Sequence, residues 1–162
     1  NAMSFVPEVM DFNEVEWTNI REKIRQVCYQ GAQSMTCTLG EVIPGHTVGP
    51  HSHKYEQLVF IMQGEADFYV EGIPYRLGPG CMMAIAPGVE HYICAVGDVP
   101  VLNMDIFTPK RPDKPDAESD RRGAEIAAKK DYRLSSKLAE SEETKAGFPI
   151  FKAPYDKIKN FK

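Results

Sequence analysis

Long apolar runs are missing from this chain. No stretch approaches the roughly 20 consecutive apolar residues of a bilayer-spanning helix, so a membrane is not an expected partner. An excess of basic residues is missing as well. The 162 residues carry 19 Lys and Arg against 23 Asp and Glu, a formal net charge of -4. Nucleic-acid binding rests on clustered cations, so no nucleic-acid partner is expected. No basic-then-apolar leader is visible, Asn1-Ala2 ahead of Met3 reads as an expression scar, and a cytoplasmic protein is expected. Cysteine is sparse and unpaired in pattern. Cys28, Cys37, Cys81 and Cys94 contain no Cys-x-x-Cys and sit among apolar or β-forming neighbours, so they are expected to be reduced and buried.

What is present suits one soluble globular domain. Hydrophobic residues make up 43% and charged residues 26%, enough apolar side chain for a core without disulfide staples. Ser4 to Trp17 reads as irregular and Arg21 to Cys28 as a strand. Met35, Cys37 and Leu39 then alternate with Ser34, Thr36 and Thr38, which predicts a strand with one apolar face. Leu58 to Met62 predicts another, with Gln63-Gly64-Glu65 as a hairpin turn into Ala66 to Val70. Further strands are predicted over Ile73 to Leu77, Met82 to Ala86, His91 to Val96 and Val99 to Phe107. Short strands with Gly and Pro turns make this an all-β sandwich or barrel.

The composition divides the chain into an N-terminal arm (1–29), a barrel (30–108) and a C-terminal extension (109–162). Pro109, Pro112 and Pro115 predict an extended connector, because proline removes a backbone donor and disrupts helix. Ala117 to Ala146, rich in Ala, Glu, Lys and Arg, predicts a partly helical tail. The residues from Lys110 onward are net basic and the preceding ones net acidic.

The chemistry-bearing residues cluster in the barrel. In a β context His51 and His53 point to one face and Gln57, four residues on, returns to it, so two imidazoles and a carbonyl oxygen can meet at one metal ion. His91, after Pro87-Gly88, is the candidate distant ligand. Glu56 is a reserve ligand if a bulge shifts the register. His46 is expected in a loop near the barrel mouth. On the last strand Asp105 and Phe107 share a face, where a carboxylate can serve as general acid or base and a ring can shape the pocket. Arg111 has the planar fork that clamps a carboxylate.

The spacing Gly45…His51-x-His53…Gln57…Gly64, followed by Gly80 and Pro87-Gly88-Val89-Glu90-His91, resembles the two motifs of the cupins. That resemblance implies a double-stranded β-helix, or jelly-roll barrel. Combined with Asp105, Phe107 and Arg111, the pattern is most similar to the pectin-degradation cupins that linearise 4,5-unsaturated uronates. It implies His51, His53, Gln57 and His91 as ligands of one divalent metal ion and Asp105, Phe107 and Arg111 as catalytic pocket residues. The implied reaction opens a small carboxylated sugar to its linear keto form, and the implied assembly is a homodimer. Nickel, zinc, iron, manganese and copper all accept imidazole and oxygen ligands. Gln57 stands where the cupin motif usually has Glu, Cys81 where Asp often follows the glycine and Ala95 where Asn is common. A neutral ligand set leaves the ion's full charge for a bound oxygen and disfavours the two-histidine-one-carboxylate arrangement of many iron oxygenases. A dioxygenase, another small-molecule lyase and a non-catalytic sugar-binding cupin are the alternatives.

Overall fold

The computed structural model describes residues 7–114. The helix expected over 117–146 lies outside them. The described residues form nine strands and no helix: β1 (Thr18–Arg21), β2 (Ile24–Tyr29), β3 (Thr36–Val42), β4 (Glu56–Gln63), β5 (Glu65–Val70), β6 (Ile73–Leu77), β7 (Met82–Ile85), β8 (His91–Val96) and β9 (Val101–Thr108). All their pairings are antiparallel. One sheet has the order β1-β2-β3-β9-β4-β7 and the other β6-β5-β8. The two pack face to face as a jelly-roll sandwich. Because β1 and β2 pair with one another and β2 with β3, the large sheet begins at Thr18, ahead of residue 30.

The period of two sorts each strand of the large sheet into two cores. Val42, Val59, Ile61 and Val101 point inward and meet Ala66, Phe68 and Ala95 of the small sheet. Leu39, Met62 and Leu102 point outward and are covered by Phe12 and Trp17 of the irregular N-terminal segment. The inward row of β9 changes character along its length. Val101 is wholly buried in the core, whereas Asn103, Asp105 and Phe107 carry the same face toward the open end. One end of the sandwich is thus filled and the other is left polar.

Two turns decide how the sheets connect. Gln63-Gly64-Glu65 is not the hairpin expected from the sequence, since both edges of β4 are already occupied by β9 and β7 and β5 must cross to the other sheet. Gly64 makes that corner with φ +75°, and a Cβ there would lie 2.7 Å from the Pro100 carbonyl oxygen. The β5–β6 connection is a hairpin. Glu71 and Gly72 both have positive φ, 51° and 78°, as a tight type I′ turn requires.

Candidate metal centre

The His-x-His pair does not lie on a regular strand. Pro50 has no N–H to donate, and only His51 pairs, in an isolated bridge with His91. The loop is nevertheless closely held. His51 N–H donates to the His91 carbonyl at 3.1 Å, His91 N–H returns to the His51 carbonyl at 2.9 Å, and Gly88 N–H donates to the His53 carbonyl at 2.8 Å. Backbone bonds therefore dock the two sequence motifs against each other. Ligating atoms of His51, His53 and His91 all fall within 4.8 Å of one another. His91 is fully buried, His53 half-buried and His51 exposed, which leaves the group open on one side.

The orientation of each ring is set by a carbonyl. Nδ1 lies 2.7 Å from the Gly49 oxygen in His51, 2.9 Å from the Tyr55 oxygen in His53 and 2.8 Å from the Val89 oxygen in His91. A carbonyl can only accept, so Nδ1 carries the hydrogen in all three and Nε2 keeps its lone pair. Gln57, buried at the start of β4, places Oε1 2.9 Å from Nε2 of both His53 and His91. Acceptors thus face acceptors, an arrangement that a cation between them satisfies. Without one, the amide would have to turn its NH2 toward the rings. The donor set therefore fits a divalent ion held by His51, His53, Gln57 and His91. Burial pushes the His91 pKa down, opposed by its bond to the Val89 carbonyl and reinforced by the neighbouring His51, His53 and Arg111. The shift favours the neutral imidazole, the form that ligation needs.

His46 is held apart from this group. Its Nε2 accepts from Ala95 N–H at 3.0 Å and its Nδ1 faces the Thr47 carbonyl at 3.1 Å, so it ties the loop to β8. Glu56 is exposed and directed away from Gln57.

A cavity of about 220 Å³ opens beside the histidines and is lined by His51, Gln57, His91, Asp105, Phe107 and Arg111 among others. Phe107 pairs directly with Gln57 across β9 and β4, and its ring meets His53 edge-on at 5.4 Å. Asp105, two residues back, shares this face. The residue keeps some accessible surface, but its Oδ1 is sealed and has no hydrogen-bond partner among the described residues, while Oδ2 accepts from Asn103 Nδ2 at 2.9 Å. Desolvation pushes its carboxyl up to about 6, against the opposing pull of Gln57, Asn103, Lys114 and Arg111.

Arg111 is seated over the pocket rather than free at its rim. Its guanidinium lies 4.5 Å from the Phe107 ring centre and 5.0 Å from that of Tyr55. Its fork is engaged: Nε and Nη2 donate to the two Asp113 oxygens at 3.2 and 2.7 Å, and the guanidinium holds the Asp113 carboxyl down at about 2. The segment after β9 is folded back by Thr36, whose Oγ1 accepts from Arg111 N–H at 2.9 Å and donates to Gln30 Oε1 at 2.6 Å. Lys110 Nζ adds bonds to the Gln30 and Ala32 carbonyls at 2.6 and 3.0 Å.

Sequence reasoning misses Tyr55, Asn103, Lys114 and the Thr36–Gln30 clasp. Asn103 has a signal, being two residues before Asp105 on one strand face. The clasp joins residues to a segment far away in sequence and leaves no local signal.

Residues 38–107 match the model of the cupin domain. The barrel is similar to a cupin domain over those residues. The chain is similar to the solved structure of KdgF from Halomonas sp., at 23% identity and a TM-score of 0.60, covering 66% of this chain and 97% of that one. An RmlC-like cupin from Shewanella frigidimarina NCIMB 400 is similar at 19% identity and a TM-score of 0.57, covering 70% and 95% respectively. The DMSP lyase DddQ from Ruegeria pomeroyi DSS-3 is similar at 23% and 0.52, over 64% of this chain and 58% of that one. Likeness at these identities establishes the jelly-roll fold. No curated protein matches the chain in sequence.

Proposed function

We propose that this cupin-like protein opens a cyclic 4,5-unsaturated monouronate to the linear 4-deoxy-5-keto sugar. The carrying observation is that Asp105 and the histidine–glutamine group line one small cavity, with Phe107 against His53 and Arg111 over the Phe107 ring. The sequence resemblance to uronate-linearising cupins and the structural likeness to KdgF support the same reading.

The reaction is an isomerisation with no net gain or loss of protons. The C1 hydroxyl loses its proton, the C1–O ring bond breaks to leave an aldehyde, and the ring oxygen departs as the enolate oxygen of C5. Protonation at C4 then converts the enolate to the C5 ketone. Both proton movements need one group that is neither strongly acidic nor strongly basic. Asp105, desolvated and with a pKa of about 6, meets that need and can take one proton and return another. Phe107 provides an apolar wall against the ring. Asn103 fixes the carboxylate by donating to its Oδ2 at 2.9 Å. A bound divalent ion would supply Lewis-acid polarisation of substrate oxygens.

The test follows the ultraviolet band of the conjugated double bond in a purified unsaturated monouronate, with chelated protein and with metal restored. Metal-dependent loss of the band is expected. A flat trace from metal-loaded protein would remove the uronate reading.

A further inference from the structure

Two cations line the cavity, Arg111 and Lys114, and they are not equally available. Arg111 has two of its donors on Asp113 and its planar face between Tyr55 and Phe107. An incoming carboxylate would have to displace Asp113 before meeting the fork. Lys114 differs. Its Nζ has no hydrogen-bond acceptor among the described residues, and it lies 6.0 Å from the Phe107 ring centre. Its backbone is held by the same turn: Lys114 N–H donates to the Arg111 carbonyl at 3.4 Å, and Gln30 Nε2 approaches the Lys114 carbonyl at 3.5 Å.

We infer that Lys114, rather than Arg111, anchors the carboxylate of the substrate, and that the Arg111–Asp113 pair shapes the mouth beside it. The inference rests on the proposed uronate reading for the substrate's class, but the geometry is that of a general small-carboxylate site. An ammonium on a flexible stem is a point charge that accepts an oxygen from several directions, which suits a carboxylate entering at an angle past the fixed guanidinium. Asp105 is the competing anion. Among the described residues no hydrogen bond joins it to Lys114, so a ligand carboxylate can take the ammonium while Asp105 remains turned to the reacting end. Lys114 and Asp105 line the same cavity, so a ligand carboxylate would meet Lys114 while its hemiacetal faces Asp105.

The experiment is calorimetric titration of the metal-loaded full chain with galacturonate, neutral galactose and succinate, in wild type, Lys114→Met and Lys114→Arg, with metal content measured in each. Wild type is expected to bind galacturonate in preference to galactose. Lys114→Met should weaken galacturonate by about tenfold or more, leave galactose unchanged and retain metal, since a hydrogen bond to a charged group is lost. Lys114→Arg should recover most of the affinity. Carboxylate binding by Lys114→Met equal to wild type, or no carboxylate binding by wild type, overturns the assignment. Lys114-dependent binding of succinate without galacturonate would keep the anchor and overturn the uronate reading.

Discussion

Replacing Asp105 by Asn should stabilise the metal-free protein at neutral pH while abolishing proton transfer. The carboxyl stands at about 6 in the folded chain against an ordinary 3.8, chiefly because burial penalises its charge. Each unit corresponds to about 1.4 kcal/mol, so the ionised group costs the fold at most about 3 kcal/mol at a pH of about 7.5. The sign follows from proton counting. Between about pH 4 and pH 6 the folded chain holds a proton that the unfolded chain has released, so stability falls as pH rises through that window and is level above it for this group. Below about pH 4 both states are protonated and the contribution vanishes. The amide introduced by Asp105→Asn would keep an acceptor for Asn103 Nδ2 without charge. Urea unfolding in chelator should therefore show Asp105→Asn more stable than wild type by about 2–3 kcal/mol at a pH of about 7.5, with the gap closing by about pH 4. A variant less stable than wild type at the higher pH, or a gap independent of pH, would refute the desolvation argument.

Removing a ligand should act differently. His91→Ala is expected to lower metal content at least about tenfold after dialysis against a trace of nickel or zinc, checked by elemental analysis, and to remove the rise in Tm that metal gives wild type. Gly64→Ala should cost about 2 kcal/mol or more in thermal unfolding, since positive φ and the Pro100 carbonyl oppose a Cβ there together. Thr36→Val should leave metal content intact but release the segment around Arg111. The reporters are faster hydrogen exchange at the Arg111 amide and a fall in activity toward the unsaturated monouronate.

The strands are legible in the sequence because alternation and Gly/Pro punctuation are local. Which sheet a strand joins is not, as Gly64 shows. Its turn chemistry suits a hairpin, and only the prior occupation of both β4 edges sends β5 elsewhere. The histidine group is legible in its residues but not in its backbone. Alternation on a strand would align His51 with His53, whereas three carbonyls and a bridge to His91 do so from a loop. Asp105 and Phe107 are readable as a shared face because β9 is regular. The state of Arg111 is not, because its pairing with Asp113 depends on a turn held by Thr36, Gln30 and Lys110, all set by tertiary contact.

A proton-shuttling Asp105 in a metal-dependent uronate-opening site would leave its signature in proton NMR of the unsaturated monouronate in D2O. Metal-loaded wild type and Asp105→Asn of equal metal content should be run side by side. Wild type should lose the olefinic C4 proton signal and gain deuterium at C4, at a rate at least about a hundredfold higher than that of Asp105→Asn. An Asp105→Asn protein that converts the sugar at the wild-type rate, or a wild-type protein that leaves the olefinic signal intact, would contradict that role for Asp105.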